Sequence, residues 1–178
     1  MAFGLVDVFV VFFVHPGRLW IYGLLRAIES LILVIGIVRL RRKSTPSARE
    51  VLFWDTMIFT GGSVCITVSC LESGGIGSPL AAGIMTILAA RFLIVPTHWR
   101  LSLIPIGITF LAFPVTFLVL SIFLPSVRAQ FAVPSLLGHF LLSIIFIFGT
   151  AVLTLLGSHK IWALRRKIYE SKIIGRYK

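Results

Sequence analysis

The sequence predicts an all-α protein, a bundle of helices embedded in a membrane. Of its 178 residues, 58% are hydrophobic and 13% are charged, and the mean hydropathy is +1.03. So few polar side chains cannot cover a water-facing surface around a core, whereas a lipid environment accepts an apolar surface. Apolar stretches of membrane-spanning length recur between short charged or glycine- and proline-containing segments, and no alternating strand pattern interrupts them.

Five stretches are long enough to cross a bilayer. A helix rises 1.5 Å per residue, so a hydrocarbon core of about 30 Å requires roughly 20 apolar residues. The stretches that meet this requirement are 20–38, 51–70, 79–95, 101–124 and 133–156. A sixth stretch, 2–14, is shorter and contains Asp7, so we expect the remnant of a truncated helix or a re-entrant or interfacial segment. The short connections predict antiparallel neighbours in an up-and-down bundle.

The distribution of positive charge predicts the orientation of the bundle. Lys and Arg next to membrane helices favour the cytoplasmic side. Five of them lie between the first and second stretches, one between the third and fourth, and seven after the fifth, and alternation places these three segments on one side. The opposite side carries Arg18 and Arg128. We therefore expect a multi-pass protein with a cytoplasmic C-terminus and with anionic lipid headgroups as partners of its basic side.

The charge balance does not indicate a nucleic-acid partner. The chain has 17 Lys and Arg against 6 Asp and Glu. A nucleic-acid interface would also need aromatic side chains within a basic face, but the aromatic residues, 15 of them Phe, lie inside the apolar stretches. The four histidines are scattered, and no hydrolase motif appears, so we expect no catalytic residue, no metal and no cofactor. Cys65 and Cys70 are expected to be inert buried thiols.

Ionisable side chains inside the apolar stretches are candidates for an intramembrane polar site. Arg26 and Glu29 are three residues apart, share one helical face and can pair, and His139 can titrate near neutral pH. The alternatives are a self-neutralising structural pair and a hydrogen-bonded packing histidine. Asp55 is expected near the cytoplasmic end of its helix, solvated or paired with an arginine, and Arg91 is expected to extend to the same interface.

The turn between the second and third stretches is the most patterned connection. Gly74 and Gly75 allow positive φ, Ser78 is placed to cap the next helix, and Pro79 suits its first position. These structural roles are sufficient to explain the residues. The functional alternative is a small outward-facing binding site formed by Glu72, Gly74, Gly75 and Ser78.

The last residues predict a basic amphipathic helix that leaves the membrane. Ile161, Leu164 and Ile168 recur at spacings of three and four, with Lys and Arg around them. The chain is thus divided into an N-terminal apolar segment at 1–19, a transmembrane bundle at 20–157 and a cytoplasmic juxtamembrane helix and linker at 158–178. The alternative for the last segment is a charged flank that only fixes the topology.

The segment SHKIWALRRKIYESKIIGRYK resembles a junction in bacterial receptor-type, Hanks-family serine/threonine kinases. In that junction the last membrane helix ends in Ser-His, a basic helix follows, and Leu-Gly-x-Tyr opens the first strand of the kinase domain. The resemblance places Ile174, Gly175 and Tyr177 at this strand entrance.

A second segment, ESGGIGSPLAAGI, is similar to the Gly-Gly-x-x-Ser-Pro-Tyr-Tyr-Ala-Gly turn in the multi-span sensor domains of these kinases and of related bacterial cyclases and histidine kinases. Leu80 and Ala81 stand where the family has tyrosines. VDVFVVFFVHP, the LLR that ends at Arg26, and PTHW are further similar stretches. Together these segments extend the resemblance over most of the chain.

The resemblance implies a sensor and anchor module of a signalling protein in the bacterial inner membrane. It implies six spanning helices, and Met1 falls just upstream of the end of the first, which predicts a truncated helix or a late start. The Gly-rich loop, strand lysine, HRD and DFG motifs of a kinase are missing, so kinase activity does not carry over to this chain. The implied partners are an attached or associated cytoplasmic signalling domain and a second copy of the chain.

Two other functions remain open from the sequence. A small proton-coupled transporter or efflux subunit would use Glu29 for both the proton and a cationic substrate, although Arg26 beside it weakens this reading. A scaffold would bind partner helices through its glycines.

Overall fold

The computed structural model describes residues 19–42 and 47–176, and every regular element in these two segments is helical. The predicted all-α class is therefore confirmed. The N-terminal stretch 2–14 lies outside the described residues.

Six α-helices follow one another along the chain. They are α1 (Leu19–Arg42), α2 (Ala48–Glu72), α3 (Ala82–Ile94), α4 (Trp99–Phe123), α5 (Pro125–Phe131) and α6 (Pro134–Arg176). Two 3₁₀ turns, Gly75–Gly77 and Pro79–Ala81, separate α2 from α3. Local chemistry sets several boundaries. Ser47 and Glu50 form a capping box at the start of α2, and α5 and α6 both begin at a proline.

Three helices in the described part of the chain are long and apolar enough to cross a membrane, fewer than the five expected from the sequence. They are Ala48–Glu72, Trp99–Phe123 and Pro134–Lys172, and they indicate a membrane protein. The expected stretch 79–95 is apolar but begins with a 3₁₀ turn, so α3 has only 13 residues and a length of about 20 Å. The expected stretch 20–38 falls within α1, which is 24 residues long.

Close approaches between helices hold the bundle together. A Cβ on Gly36 of α1 would lie 3.0 Å from Ile58 Cδ1 of α2, so glycine lets these two helices pack closely. α2 also packs against α4, where Ser63 Oγ donates to the Thr109 carbonyl at 3.0 Å and the hydroxyls of Thr60 and Thr109 lie 3.3 Å apart. Such hydrogen bonds bind helices together in an apolar environment, where water is not available to compete.

A cluster of aromatic rings joins α4 to α6. Phe113 and Phe117 of α4 are buried and lie with their ring centroids 5.4 and 5.7 Å from that of Phe140 of α6. Many other apolar side chains are on the surface: Phe123 is 73% exposed and Leu153 is 70% exposed. A surface this apolar is suited to contact with lipid.

The helices place the cationic segments of the described chain at one end of the bundle. We call this the basic end: it contains the end of α1, the start of α2, the connection from α3 to α4, and the part of α6 around His159, which contacts His98. The opposite end, which we call the turn end, contains the two 3₁₀ turns, α5 with Arg128, and the start of α6. Ile76 and Gln130 are hydrogen-bonded there.

The last helix is longer than the sequence predicted. α6 has 43 residues and a length of about 65 Å, so the predicted basic helix is a continuation of the last apolar helix. Arg166 and Glu170 support the basic part with an exposed ion pair of 2.7 Å at helical spacing. The strand expected at Ile174 and Gly175 is wrong, because α6 includes both residues, and Tyr177 lies outside the described residues.

Candidate functional site

A buried ion pair connects α2 to α3 at the basic end. Arg91 Nη2 donates to Asp55 Oδ2 at 2.5 Å, and the two side chains are 0% and 3% exposed. An arginine partner was one of the two expectations for Asp55. The expectation that Arg91 extends to the interface is wrong, because its guanidinium turns inward to the carboxylate. Pairing offsets part of the large penalty for removing each charge from water.

Several buried polar atoms at this end have no hydrogen-bond partner among the described residues. They are Asp55 Oδ1, Arg91 Nε and Nη1, Ser158 Oγ and His159 Nδ1. A buried polar atom without a partner costs about 1–3 kcal/mol, so such atoms normally meet water or a ligand. These atoms are themselves buried, so they add to the cost of placing polar groups in the interior of the basic end.

Aromatic rings hold the connection between α3 and α4 against α6. The His98 ring lies edge-on to Trp162, with the centroids 4.9 Å apart, and 5.2 Å from the His159 ring. Arg166 lies over the Trp162 ring at 5.7 Å, in a cation–π contact. We call His98, His159 and Trp162 the aromatic cluster. Through this cluster, His98 contacts α6 at the point where the apolar part of the helix ends and the basic part begins.

No pattern in the sequence predicts this cluster. Its members come from PTHW and SHKIW, and by sequence alone the histidines of these segments are scattered. The spacing within a helix can reveal neighbours three or four residues apart, but it cannot reveal a contact across 61 residues of chain, from His98 to His159.

The turn end has the backbone geometry that the sequence predicted. Gly74 and Gly75 adopt φ of 115° and 66°. Ser78 Oγ accepts from the Leu80 amide at 3.2 Å and lies 2.7 Å from Ser73 Oγ. The cap therefore forms, although it begins a 3₁₀ turn rather than the α-helix itself.

The side chain of Gln130 closes the same turn from α5. Gln130 Oε1 accepts from the Ile76 amide at 3.0 Å, and the Gln130 amide group occupies the space that a Cβ on Gly75 would need. Gly75 is thus required both for its backbone conformation and for its lack of a side chain.

The structure brings some of the predicted site residues together. Ser78 of the turn and His139 of α6 line one cavity of about 130 Å³, together with Ser143. Glu72 is the last residue of α2 and is half-buried near this turn. We call this cavity the turn-end cavity: Ser78 and His139 line it, whereas Glu72, Gly74 and Gly75 are not among its lining residues.

Glu29 lies elsewhere, in the contact between α1 and α2. Its Oε1 atom is 3.0 Å from the position that a Cβ on Gly62 would take, so the absence of a side chain at Gly62 makes room for this carboxylate. The side chain of Arg26 lies outside the described part of the structure, and the pairing of Arg26 with Glu29 stays a prediction.

In the described segments, no group of three or more His, Cys, Asp or Glu residues is arranged to hold a metal ion. Cys65 and Cys70 are both free and buried. Comparison of the chain with protein-family models, with curated proteins and with solved structures found no match. The features that bear on function are thus the turn-end cavity, the basic end with its buried ion pair, and α6, which contacts both regions and continues beyond them.

Proposed function

We propose that this protein is the membrane sensor and anchor module of a bacterial signalling protein whose output domain is a cytoplasmic serine/threonine kinase. The observation that carries the proposal is the continuity of α6. This helix lines the turn-end cavity at His139, meets the aromatic cluster at Trp162 and continues to Arg176. A shift or rotation of a continuous helix at one end moves its other end, which is a common way to carry a signal.

The charge distribution supports a cytoplasmic position for the basic end. Its cations face the side on which anionic headgroups and the positive-inside rule favour them. The part of α6 after Ser158 extends about 27 Å, which is long enough to carry an output domain away from the headgroups. In this proposal all five apolar stretches cross the inner membrane, and two copies of the chain associate so that their output domains meet.

A change at the turn-end cavity is expected to move the basic part of α6. Nitroxide labels on cysteines introduced at Phe53 and Lys172 would report the distance from α2 to the end of α6 by pulsed electron paramagnetic resonance. His139→Trp places a larger ring at the cavity, and we expect it to change the mean distance by about 2 Å, the size of helix shifts in known switches.

The matched control for this measurement is Leu141→Trp, which introduces the same side chain on α6 at a position that is exposed, as His139 is, but does not line the turn-end cavity. The control should leave the distance distribution as in the unchanged protein. Equal distributions for His139→Trp, Leu141→Trp and the unchanged protein would overturn the proposal that α6 transmits a change between the two ends.

The orientation has its own test. A reporter enzyme that is active only in the cytoplasm should be active when fused after Lys178 and inactive when inserted in the segment 125–132. A reporter that is active only in the periplasm should give the opposite pattern. Periplasmic activity after Lys178 would rule out a cytoplasmic output domain and with it the proposed function.

A further inference from the structure

The turn-end cavity is a groove between the start of α3 and one face of α6. Ala82 and Met85 line it from α3. The residues that line it from α6 recur at helical spacing and so share one face of that helix: His139, Leu142, Ser143, Phe146 and Ile147. Its volume of about 130 Å³ is close to that of an engineered cavity of about 150 Å³ that binds benzene in another protein.

Two polar side chains of this cavity are accessible and not engaged. His139 is exposed and Ser143 is half-buried, and neither side chain makes a hydrogen bond within the described part of the chain. Neither is closed off from the surface, in contrast to the unpartnered atoms of the basic end. Ser78 differs, because its Oγ atom is buried and already bonded to Ser73 Oγ and the Leu80 amide. A molecule in the cavity therefore meets the imidazole and the Ser143 hydroxyl as its polar partners.

These two groups suit a carboxylate. They are one helical turn apart, about 6 Å along the axis, so a carboxylate between them can accept a hydrogen bond from each. A histidine can carry a positive charge near neutral pH, and no Asp or Glu of the described residues lines the cavity to balance a cationic ligand. Glu72 and Arg128 also lie at the turn end, but neither is a lining residue. An anionic head group is therefore favoured over a cationic one.

The apolar part of the cavity lies deeper along α6 than the polar part. Phe146 and Ile147 follow His139 by about two helical turns, or about 12 Å, and Met85 lines the same space from α3. In binding pockets a few polar groups fix the orientation of a ligand, and apolar walls hold its body. Here the polar groups are nearer the turn end and the apolar walls nearer the middle of the helix. This order matches an amphiphile with a medium-length acyl chain.

We propose that the turn-end cavity binds a medium-chain carboxylate. Its head group accepts hydrogen bonds from His139 and Ser143, and its acyl chain lies along Phe146 and Ile147. The occupant packs between α3 and α6, so its arrival bears directly on the position of α6. The inference rests on the proposed function and deepens it by naming the chemical class of the signal.

Binding is tested on the full chain, with isotope-labelled histidine, in nanodiscs of phosphatidylcholine. NMR of the imidazole nitrogens follows a titration with octanoate. We expect a saturable change in the His139 signals, which are identified by their loss in His139→Gln, and no change in those of His98 and His159 at the basic end. Octanol and octylamine should bind at least about tenfold more weakly, because they lack the charged acceptor.

Two results of this titration would overturn the proposal. One is equal affinity for octanoate and octanol, because the head group would then play no part in recognition. The other is the absence of a saturable His139 change, because the groove would then be filled by bilayer lipid, which is present in excess.

Two variants with matched controls locate the site. Ser143→Ala should weaken octanoate binding about tenfold, whereas Ser135→Ala, at an exposed position of α6 outside the cavity, should not. Ala82→Phe takes the ligand's volume and should weaken binding at least about tenfold. Ala129→Phe is its control, on an exposed position of α5 at the turn end. Equal binding by all four variants, or equal losses in variants and controls, would show that octanoate binds elsewhere and that the proposed site is wrong.

Failure of this inference can be told apart from failure of the proposed function. If His139→Trp moves α6 but octanoate does not bind, the site is overturned and the signalling role stands. If octanoate binds but neither it nor His139→Trp changes the distance between the labels at Phe53 and Lys172, the site stands and the signalling role is overturned.

Discussion

Replacing Arg91 with methionine is expected to lower the free energy of unfolding by about 3–5 kcal/mol. The substitution leaves the Asp55 carboxylate buried, with 3% of its side chain exposed and no cation to pair with. An uncompensated charge in a low-dielectric interior is among the most destabilising single changes a protein can carry. Reversible unfolding in mixed micelles with increasing SDS, followed by circular dichroism, would measure the difference.

The double substitution Asp55→Leu with Arg91→Met should recover most of this loss. Removing both charges leaves two apolar side chains of similar volume, and such replacements of buried pairs are often neutral or stabilising. A double-mutant cycle needs the single variants Asp55→Leu and Arg91→Met and the double variant. We expect it to give an interaction energy between the two residues well above the few tenths of a kcal/mol found for independent sites.

The exposed pair of Arg166 and Glu170 is the matched control within the same protein. Its side chains are 63% and 52% exposed, so Arg166→Ala is expected to lower the free energy of unfolding by only about 1 kcal/mol, including the loss of the cation–π contact with Trp162. If Arg91→Met were as mild as Arg166→Ala, the interior of the basic end would have to be open to water, contrary to the burial of Asp55.

The ion pair also explains how a short helix keeps its position. α3 has 13 residues and an almost wholly apolar surface, and apolar side chains can pack against α2 at several depths. A hydrogen-bonded pair has one favourable register, since sliding either helix by a turn of about 5.4 Å would separate the charges. Asp55 and Arg91 therefore fix the depth of α3 beside α2, next to the connection that carries His98.

Local features of this fold could be read from the sequence, whereas contacts between distant segments could not. The positive φ of Gly74 and Gly75 and the cap at Ser78 follow from residue chemistry within a few positions. The pairing of Asp55 with Arg91 spans 36 residues. It depends on how α2 and α3 are rotated about their axes, and an apolar stretch without a polar stripe does not encode that rotation.

The shortness of α3 could not be read from the sequence for a related reason. Apolar residues in a 3₁₀ turn have the same hydropathy as those in an α-helix, so the stretch 79–95 looked long enough from composition alone. In the structure Pro79–Ala81 forms a 3₁₀ turn, and the α-helix begins only at Ala82. At the other end, the resemblance to a strand entrance at 174–177 did not account for the tendency of α6 to continue through Lys- and Ile-rich sequence.

Replacing Gly75 with valine is expected to lower the free energy of unfolding by about 2–4 kcal/mol. A branched side chain is strongly disfavoured at φ of 66°. The added Cβ would also displace the Gln130 amide and leave the buried Ile76 N–H without its acceptor. The same unfolding titration in mixed micelles would measure this loss.

Two further variants separate these causes. Gln130→Ala removes the acceptor but keeps the glycine backbone, and we expect a loss of about 1–3 kcal/mol. Gly107→Ala adds a Cβ within α4, where no atom of another element lies within 4 Å of the new position, so it should be neutral or slightly stabilising.

If Gly75→Val were no worse than Gln130→Ala, the left-handed backbone would contribute nothing, and clearance for Gln130 alone would explain the glycine. If it is clearly worse, the turn that presents Ser78 to His139 depends on backbone conformation, and strain there should also shift the distance between the labels at Phe53 and Lys172.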